Sequence, residues 1–236
     1  MTGPAPSGAE IRNEAWALAQ DASDPLARLR SEFEHPLGGD GRQLTYFCGN
    51  SLGLMPKAVR KDVAAELEDW ARLAVEGHHD ARTPWYNYHE QFRAPLARLV
   101  GAEVGEVVAM TSLTVNLHLM LTSFYRPTGS RWKVLMEESA FPSDSYAVAT
   151  HLRAQGLDPA TGIIVIKARS GEATIRTEDV EAVLEARGSE ISLVLFPGVQ
   201  YFTGQSFDCQ RISRAAHRAG CLIGLDLAHA VGNVEL

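Results

Sequence analysis

Asp226 and His229 stand three residues apart at the end of an apolar run, Cys221-Leu-Ile-Gly-Leu-Asp226. A carboxylate at the carboxyl end of a buried strand lies where open α/β sheets bind their ligands. Set against the nitrogen of a flat heterocycle, such an acid raises that nitrogen's pKa, keeps it protonated and makes the ring an electron sink for a substrate carbanion. A second edge repeats the theme: Glu137-Glu-Ser-Ala-Phe141-Pro142-Ser143-Asp144 follows another apolar run and puts an aromatic face three residues before a carboxylate. Phe141 there has the shape to stack on a heterocycle. Other readings stay open, since Asp226 could N-cap a helix starting near Ala228, Asp144 could cap its own helix beside a core Phe141, and His229 could orient a neighbour or sit satisfied near the core.

Two further clusters carry polar chemistry. Met110-Thr-Ser-Leu113-Thr114-Val-Asn116 brings hydroxyls and free backbone N–H groups to a helix start, which suits a phosphate, although Ser and Thr serve there as ordinary N-caps as well. No Gly-x-Gly-x-x-Gly follows a strand and no Gly-x-x-x-x-Gly-Lys-Ser/Thr occurs, so dinucleotide and P-loop sites are not indicated. Gly77-His78-His79-Asp80-Ala-Arg82, with His89 beyond, invites a metal reading. Consecutive histidines lack the helical i, i+4 spacing, and no HExxH or thiolate accompanies them, so no metal site is predicted.

These residues need a scaffold, and the pattern supplies one. From residue 107 onward strands are predicted at 107–111, 132–136, 163–167, 191–196 and 221–226, alternating with helices at 113–125, 143–155, 178–187 and 208–219. Such alternation predicts an α/β fold with a mainly parallel sheet and helices on both faces, and near-continuous apolar runs such as Ile191-Ser-Leu-Val-Leu-Phe196 suit strands covered on both sides. Upstream, two helical pieces are predicted within 9–33, the second capped by Asp24 and Pro25. A short strand at 44–48 leads into the loop Gly49-Asn-Ser51-Leu-Gly53, a helix runs from Pro56 to about Leu73, and another runs from Thr83-Pro84 to Val100, ending at a Gly101 C-cap.

Composition narrows the class. A chain of 236 residues with 45% hydrophobic and 22% charged residues is an ordinary globular protein, and a net charge of -7 without long like-charge runs argues against nucleic acid as a partner. Residues 1–8 form a polar tail unlike a signal peptide, and no apolar run reaches membrane-span length, so a cytoplasmic protein with no membrane partner is expected. Cys48, Cys209 and Cys221 lie far apart and read as buried reduced thiols.

Taken together, Tyr46-Phe-Cys-Gly-Asn-Ser51-Leu-Gly-Leu54, Gly77-His78 through Pro84-Trp85, Leu113-Thr-Val-Asn-Leu-His118, Phe141-Pro-Ser-Asp144, Tyr201-Phe-Thr-Gly-Gln205 and Asp226-Leu-Ala-His-Ala-Val-Gly-Asn-Val-Glu235 resemble the kynureninases, in order and from residue 44 to 236. The resemblance implies the PLP-dependent transferase-like fold, fold type I of the aspartate aminotransferase type, with 1–43 as tail and arm helices and 44–236 as an incomplete large domain. It implies pyridoxal 5'-phosphate (PLP) as cofactor, usually in a homodimer. The activity it implies is hydrolysis of the Cβ–Cγ bond of the small-molecule substrate L-kynurenine, or 3-hydroxykynurenine, to anthranilate (3-hydroxyanthranilate) and L-alanine in tryptophan catabolism and NAD biosynthesis. In its terms Leu113 and Thr114 hold the phosphate, Phe141, Pro142, Ser143 and Asp144 flank the ring, Asp226 and His229 bind the ring edge, and Ser51 and His78 line the substrate pocket.

Two departures stand out against that resemblance. Pro197 occupies a position where some relatives place a serine that contacts the cofactor, and proline offers neither hydroxyl nor N–H. The Schiff-base lysine is expected after the ring-nitrogen acid, yet Lys57, Lys61, Lys133 and Lys167 all precede Asp226. The chain is therefore expected to be the N-terminal and large-domain portion of such an enzyme and inactive alone. A rival expectation is a catalytically dead module that binds a ligand or partner through the remaining crevice.

Overall fold

A computed structural model describes residues 13–236, so the polar tail and the start of the first predicted helix lie outside the described residues. The chain divides into two compact units, Met1–Tyr86 and Asn87–Leu236. In the first, α1 (Glu14–Ser23) is capped by the Asn13 side chain, and the next piece is a 3-10 turn, Ala27–Glu32, rather than an α-helix. Asp24 still accepts a hydrogen bond from the Leu26 N–H at 2.8 Å, so the predicted capping residue works on a tighter turn. The strand expected at 44–48 is absent. Residues 44–48 pair with no strand, and the isolated bridges Leu37 with Gln43 and Phe33 with Pro56 only flank them. Helix α2 (Val59–Leu73) and the short α3 (Gly77–Asp80) complete the unit.

Residues 83–100 depart from the single helix expected there. In place of one helix to Val100, residues Trp85–Phe92 form 3-10 turns broken at Asn87, and α4 (Arg93–Val100) follows. Pro95 explains the restart: lacking an N–H, it is tolerated in a helix's first turn and disrupts an interior. Gly101 is left-handed, with φ 65°, as its C-cap role requires. Residues 107–110 form no strand, and the carbonyl of the extended Val107 accepts from the Arg93 side chain at 3.0 Å instead of joining a ladder.

The rest follows the predicted alternation: α5 (Leu113–Phe124), β1 (Lys133–Glu137), α6 (Pro142–Ala154), the short α7 (Pro159–Gly162), β2 (Ile163–Ile166), α8 (Thr177–Arg187), β3 (Ile191–Pro197), α9 (Cys209–Arg218) and β4 (Leu222–Asp226). The four strands are parallel in the order β2-β1-β3-β4. Alternate side chains feed opposite cores. Val134, Met136, Leu193 and Leu195 pack with Leu121 of α5 and Ala147, Val148 and Leu152 of α6. On the other face Leu135, Val194 and Phe196 pack with Val180 and Leu184 of α8 and Ile212 and Ala216 of α9. Burying both faces is what selects the continuous apolar strands read in the sequence.

This order places a topological switch between β1 and β3. The chain leaves β1 toward β2 and later returns to the other side of β1 as β3. The loops after β1 and β3 run to α6 and α9, which cover opposite faces of the sheet, so they diverge and leave a crevice where ligands of such sheets bind. Cys221 is buried, Cys209 half-buried and Cys48 exposed, which corrects the expectation that all three are buried. Among the described residues no helix is long and apolar enough to cross a membrane.

Candidate active site

Glu137 ends β1, and the chain turns through Ser139, whose φ of 57° is left-handed, to bring Phe141 to the cap of α6. Pro142 sits at the first helical positions, where its missing N–H costs nothing. Phe141 is partly exposed and meets two other rings. Its centroid lies 5.0 Å from Tyr201 at an interplanar angle of 78°, and 5.8 Å from His229 at 42°. Tyr201 and His229 are 6.2 Å apart, so residues from three separate loops form one aromatic cluster.

Asp144, one turn into α6, is only 4% exposed and accepts from the Ser143 hydroxyl at 3.2 Å. It does not cap the helix, which corrects that reading. Asp226 ends β4 opposite Pro197 in register. Its carbonyl accepts from the Gly198 N–H at 2.8 Å, and its carboxylate accepts from the Ala228 N–H at 2.8 Å. The capping role proposed for Asp226 is thus present, but over the turn 227–230 rather than a helix. Gly198 is required for that turn's approach: an added Cβ would lie 2.7 Å from the Ala230 Cβ and 2.8 Å from the Leu227 Cδ2. Pro197 gives no donor here, and the neighbouring Gly198 supplies the N–H that fixes Asp226.

The electrostatics of this edge are unbalanced. Burial pushes the Glu137 carboxyl up to about 7, with the charges of Asp144 and Asp226 adding to the effect. Burial, and then the adjacent Asp226 carboxylate, drives Asp144 far above the ordinary aspartate range. No cation is among the groups acting on either acid. Glu137 and Asp144, buried beside Asp226 without a counter-charge, keep protons that water would remove. A ligand bearing a protonated ring nitrogen fits this set, because its N–H would supply the missing positive charge.

The start of α5 adds an electropositive feature. Ser112 occupies the cap position without a side-chain cap bond, and the Thr111 hydroxyl donates to Asn116 Oδ1 at 2.9 Å, so the hydroxyls do not serve as caps here. The first N–H to bond within the helix is that of Asn116, to the Ser112 carbonyl at 2.9 Å, which leaves the N–H groups of Leu113, Thr114 and Val115 outside the helical ladder. Such groups at a positive helix end suit an anion. Leu113 and Asn116 line a cavity of about 500 Å³ together with Asp144 and Asp226. Leu113, Asp144 and Asp226 therefore meet at one opening, and Phe141 and His229 meet in the aromatic cluster beside Tyr201.

Ser51 and His78 belong to the first unit. Ser51 is exposed in a turn where its N–H donates to the Cys48 carbonyl at 2.9 Å. His78 Nδ1 donates to the Val75 carbonyl at 2.8 Å, which leaves Nε2 of a neutral ring as an acceptor. The edge of Trp85 lies against this ring with centroids 5.6 Å apart, and Trp85 packs so tightly on Gly77 that no Cβ fits there. Asp69, missed in the sequence reading, anchors the loop. At 1% exposure it accepts from the Arg82 N–H at 2.8 Å, from Arg82 Nε at 3.2 Å and from Arg72 at 2.9 Å. Nothing in the helical pattern signals it, since the adjacent Trp70 is the exposed residue. Of the lysines, Lys133 is paired with Glu190 at 2.6 Å and Lys167 with Glu138 at 3.2 Å, while Lys57 and Lys61 lie in the first unit.

Comparison with known proteins follows the same lines. The kynureninase of Myxococcus xanthus (strain DK1622) is 50% identical over 224 residues, covering 95% of this chain and 53% of the relative. That of Koribacter versatilis (strain Ellin345) is 49% identical over 223 residues, covering 94% and 53%. The chain spans about half the length of the curated relatives it matches. Among solved structures, a mutant of C-DES with glycine covalently linked to the PLP cofactor superposes with a TM-score of 0.63 at 16% identity, over 81% of this chain and 49% of that one. The apo cysteine desulfurase from Thermococcus onnurineus NA1 gives 0.57 at 19% identity, over 78% and 44%. These likenesses show that the fold is the expected PLP-dependent transferase type. The family model for aminotransferase class-V matches residues 45–236, a span that takes in the whole sheet and the edge bearing Phe141, Asp144 and Asp226, and the chain belongs to that family.

Proposed function

We propose that this chain binds pyridoxal 5'-phosphate at the carboxyl edge of β1, β3 and β4, and that it takes part in hydrolysing L-kynurenine, or 3-hydroxykynurenine, to the anthranilate product and L-alanine, in a cytoplasmic homodimer. The substrate reading is supported by the identity of about half the residues with proteins named kynureninase. The observation that carries the site reading is the pair Asp144 and Asp226, short of a cation and opening onto the cavity that also takes Leu113 at the start of α5. When bound, the cofactor supplies an electron sink for the carbanion formed at the substrate's Cα.

The chain's own residues then divide the work. Asp226, held by Gly198 and the 227–230 turn, would accept the ring N–H, with Asp144 beside it as a hydrogen-bonding neighbour. Phe141 supplies a stacking face, steadied by Tyr201 and His229. Leu113 and Thr114 offer backbone N–H groups to the phosphate. His78 presents Nε2 as an acceptor for a substrate N–H or O–H, with Ser51 as a second pocket residue. Residues 44–236 act in this reading as one large domain. We further propose that the 236-residue chain alone does not turn over kynurenine, since Lys133 and Lys167 are committed to Glu190 and Glu138.

Equilibrium dialysis against PLP tests the site. Saturable binding that weakens at least about tenfold in both Asp226→Asn and Phe141→Ala supports it, tenfold being the loss expected for one hydrogen bond to a charged group or one aromatic contact. Undiminished binding in both variants sinks it. Anthranilate fluorescence released by the chain alone would refute the proposed inactivity.

A further inference from the structure

Gln200 is 4% exposed and carries no role in the site described above. It lies three residues beyond the end of β3, in the loop that leads to α9. Its side chain uses both ends. Nε2 donates to the Ser139 carbonyl at 2.7 Å, while Oε1 accepts from the Phe202 N–H at 2.6 Å and the Thr203 N–H at 2.9 Å. Ser139 belongs to the other loop at the switch point, the one that leaves β1 for α6 with a left-handed residue.

One buried amide therefore stitches together two loops that diverge to opposite faces of the sheet. Phe141 lies two residues past the acceptor on one loop, and Tyr201 directly follows Gln200 on the other; their rings meet edge to face at 5.0 Å. The far side of the same loop is pinned separately. Gln205 Nε2 donates to the Ile175 carbonyl at 2.6 Å and its Oε1 accepts from the Ile175 N–H at 2.9 Å, which imitates a strand pair. Gln205 thus ties the loop to the segment before α8, and Gln200 alone of the two ties it toward Phe141.

We infer that Gln200 is a positioning residue: its amide, by joining the Ser139 carbonyl to the Phe202 and Thr203 N–H groups across the β1/β3 switch point, sets Phe141 and Tyr201 as one wall of the ligand crevice. The consequence for PLP rests on the proposed function, whereas the ring arrangement does not. A glutamine that only steadies its own turn needs the Oε1 acceptor and not the Nε2 donor. The two roles can be separated chemically, since a carboxylate keeps the acceptors and loses the donor.

The test uses Gln200→Glu and Gln200→Leu in the whole chain, with two readouts: the nuclear Overhauser contact between the Phe141 and Tyr201 rings without PLP, and PLP affinity by equilibrium dialysis. Near pH 8, Gln200→Glu is expected to lose the ring contact and to bind PLP roughly tenfold more weakly, the loss that follows one unpaired buried acceptor, while the Phe202 and Thr203 amides stay protected from exchange. Lowering the pH protonates the introduced carboxyl, restores a donor and should return both properties toward those of the unaltered chain measured at the same pH. Gln200→Leu should lose the ring contact at every pH and expose the two amides. Retention of the ring contact in Gln200→Glu at pH 8 overturns the inference, whether or not the variant binds PLP. If the unaltered chain fails to bind PLP while the ring contact behaves as described, the inference stands and the proposed cofactor site falls.

Discussion

Replacing Glu137 by glutamine should stabilise the protein at alkaline pH and leave it nearly unchanged in acid. The side chain is 4% exposed at the end of β1, and burial first, then the fields of Asp144 and Asp226, lift its carboxyl from 4.5 to about 7. In the unfolded chain the proton leaves near the ordinary value, so between those two pH values the folded state holds more protons than the unfolded state. Stability contributed by this group is therefore fully present below the unfolded pKa and is lost as the pH rises through about 7. At about 1.4 kcal/mol per pH unit, the loss reaches about 3 kcal/mol. Glutamine imitates the protonated acid and cannot ionise, so Glu137→Gln should exceed the parent by up to about 3 kcal/mol at pH 8 and by little at pH 4. Urea denaturation across that range measures it; with a slope of about 1–3 kcal/mol per molar, the midpoint at pH 8 should rise by about 1 M or more. A difference between variant and parent that does not change with pH would refute the argument, as would a less stable variant at pH 8.

Other expectations follow from single contacts. Gly198→Ala drives a methyl into Ala230 and Leu227, so it should cost about 1–3 kcal/mol and lower the melting temperature by several degrees, and Ala230→Gly in the same chain should restore part of the loss. Leu135→Ala empties a fully buried position between the sheet and its α8/α9 layer and should cost about 2–5 kcal/mol in the same urea assay. Asp69→Ala should free the loop that carries His78, read as faster exchange of the Arg82 amide and altered Trp85 fluorescence with α2 intact. The Arg82 N–H first and Arg72 next hold the Asp69 carboxyl below the usual range, so the loop's protection should persist past the pH where a free aspartate protonates and vanish only as the pH falls through that lowered pKa.

The strands and helices of the second unit were legible because their apolar residues must serve a two-sided sheet. Ile163–Ile166 and Ile191–Pro197 could be read nearly to the residue. Expectations failed where local pattern lacked a partner or met a backbone constraint. Residues 107–111 have strand-forming side chains but no ladder, and Asn87 with Pro95 breaks what periodicity alone extends. Asp69 and Gln200 gave no signal at all, since a buried polar residue is defined by its hydrogen-bond partners, and the partner that ties each to another segment lies 13 and 61 residues away.

Residue types and order alone determined the parallel α/β plan and brought forward Phe141, Asp144, Asp226 and His229, because turns at the carboxyl ends of buried strands are where such a sheet exposes chemistry, and Leu113 and Thr114, because a helix start suits a phosphate. Ordering the strands as β2-β1-β3-β4 was beyond it. Only that order puts Asp144 and Asp226 side by side without a cation, closes Phe141 on Tyr201 and His229, and lets one amide bridge the diverging loops. Charge and ring contacts act over a few ångströms in space, and a linear pattern carries no record of which distant residues come within that range.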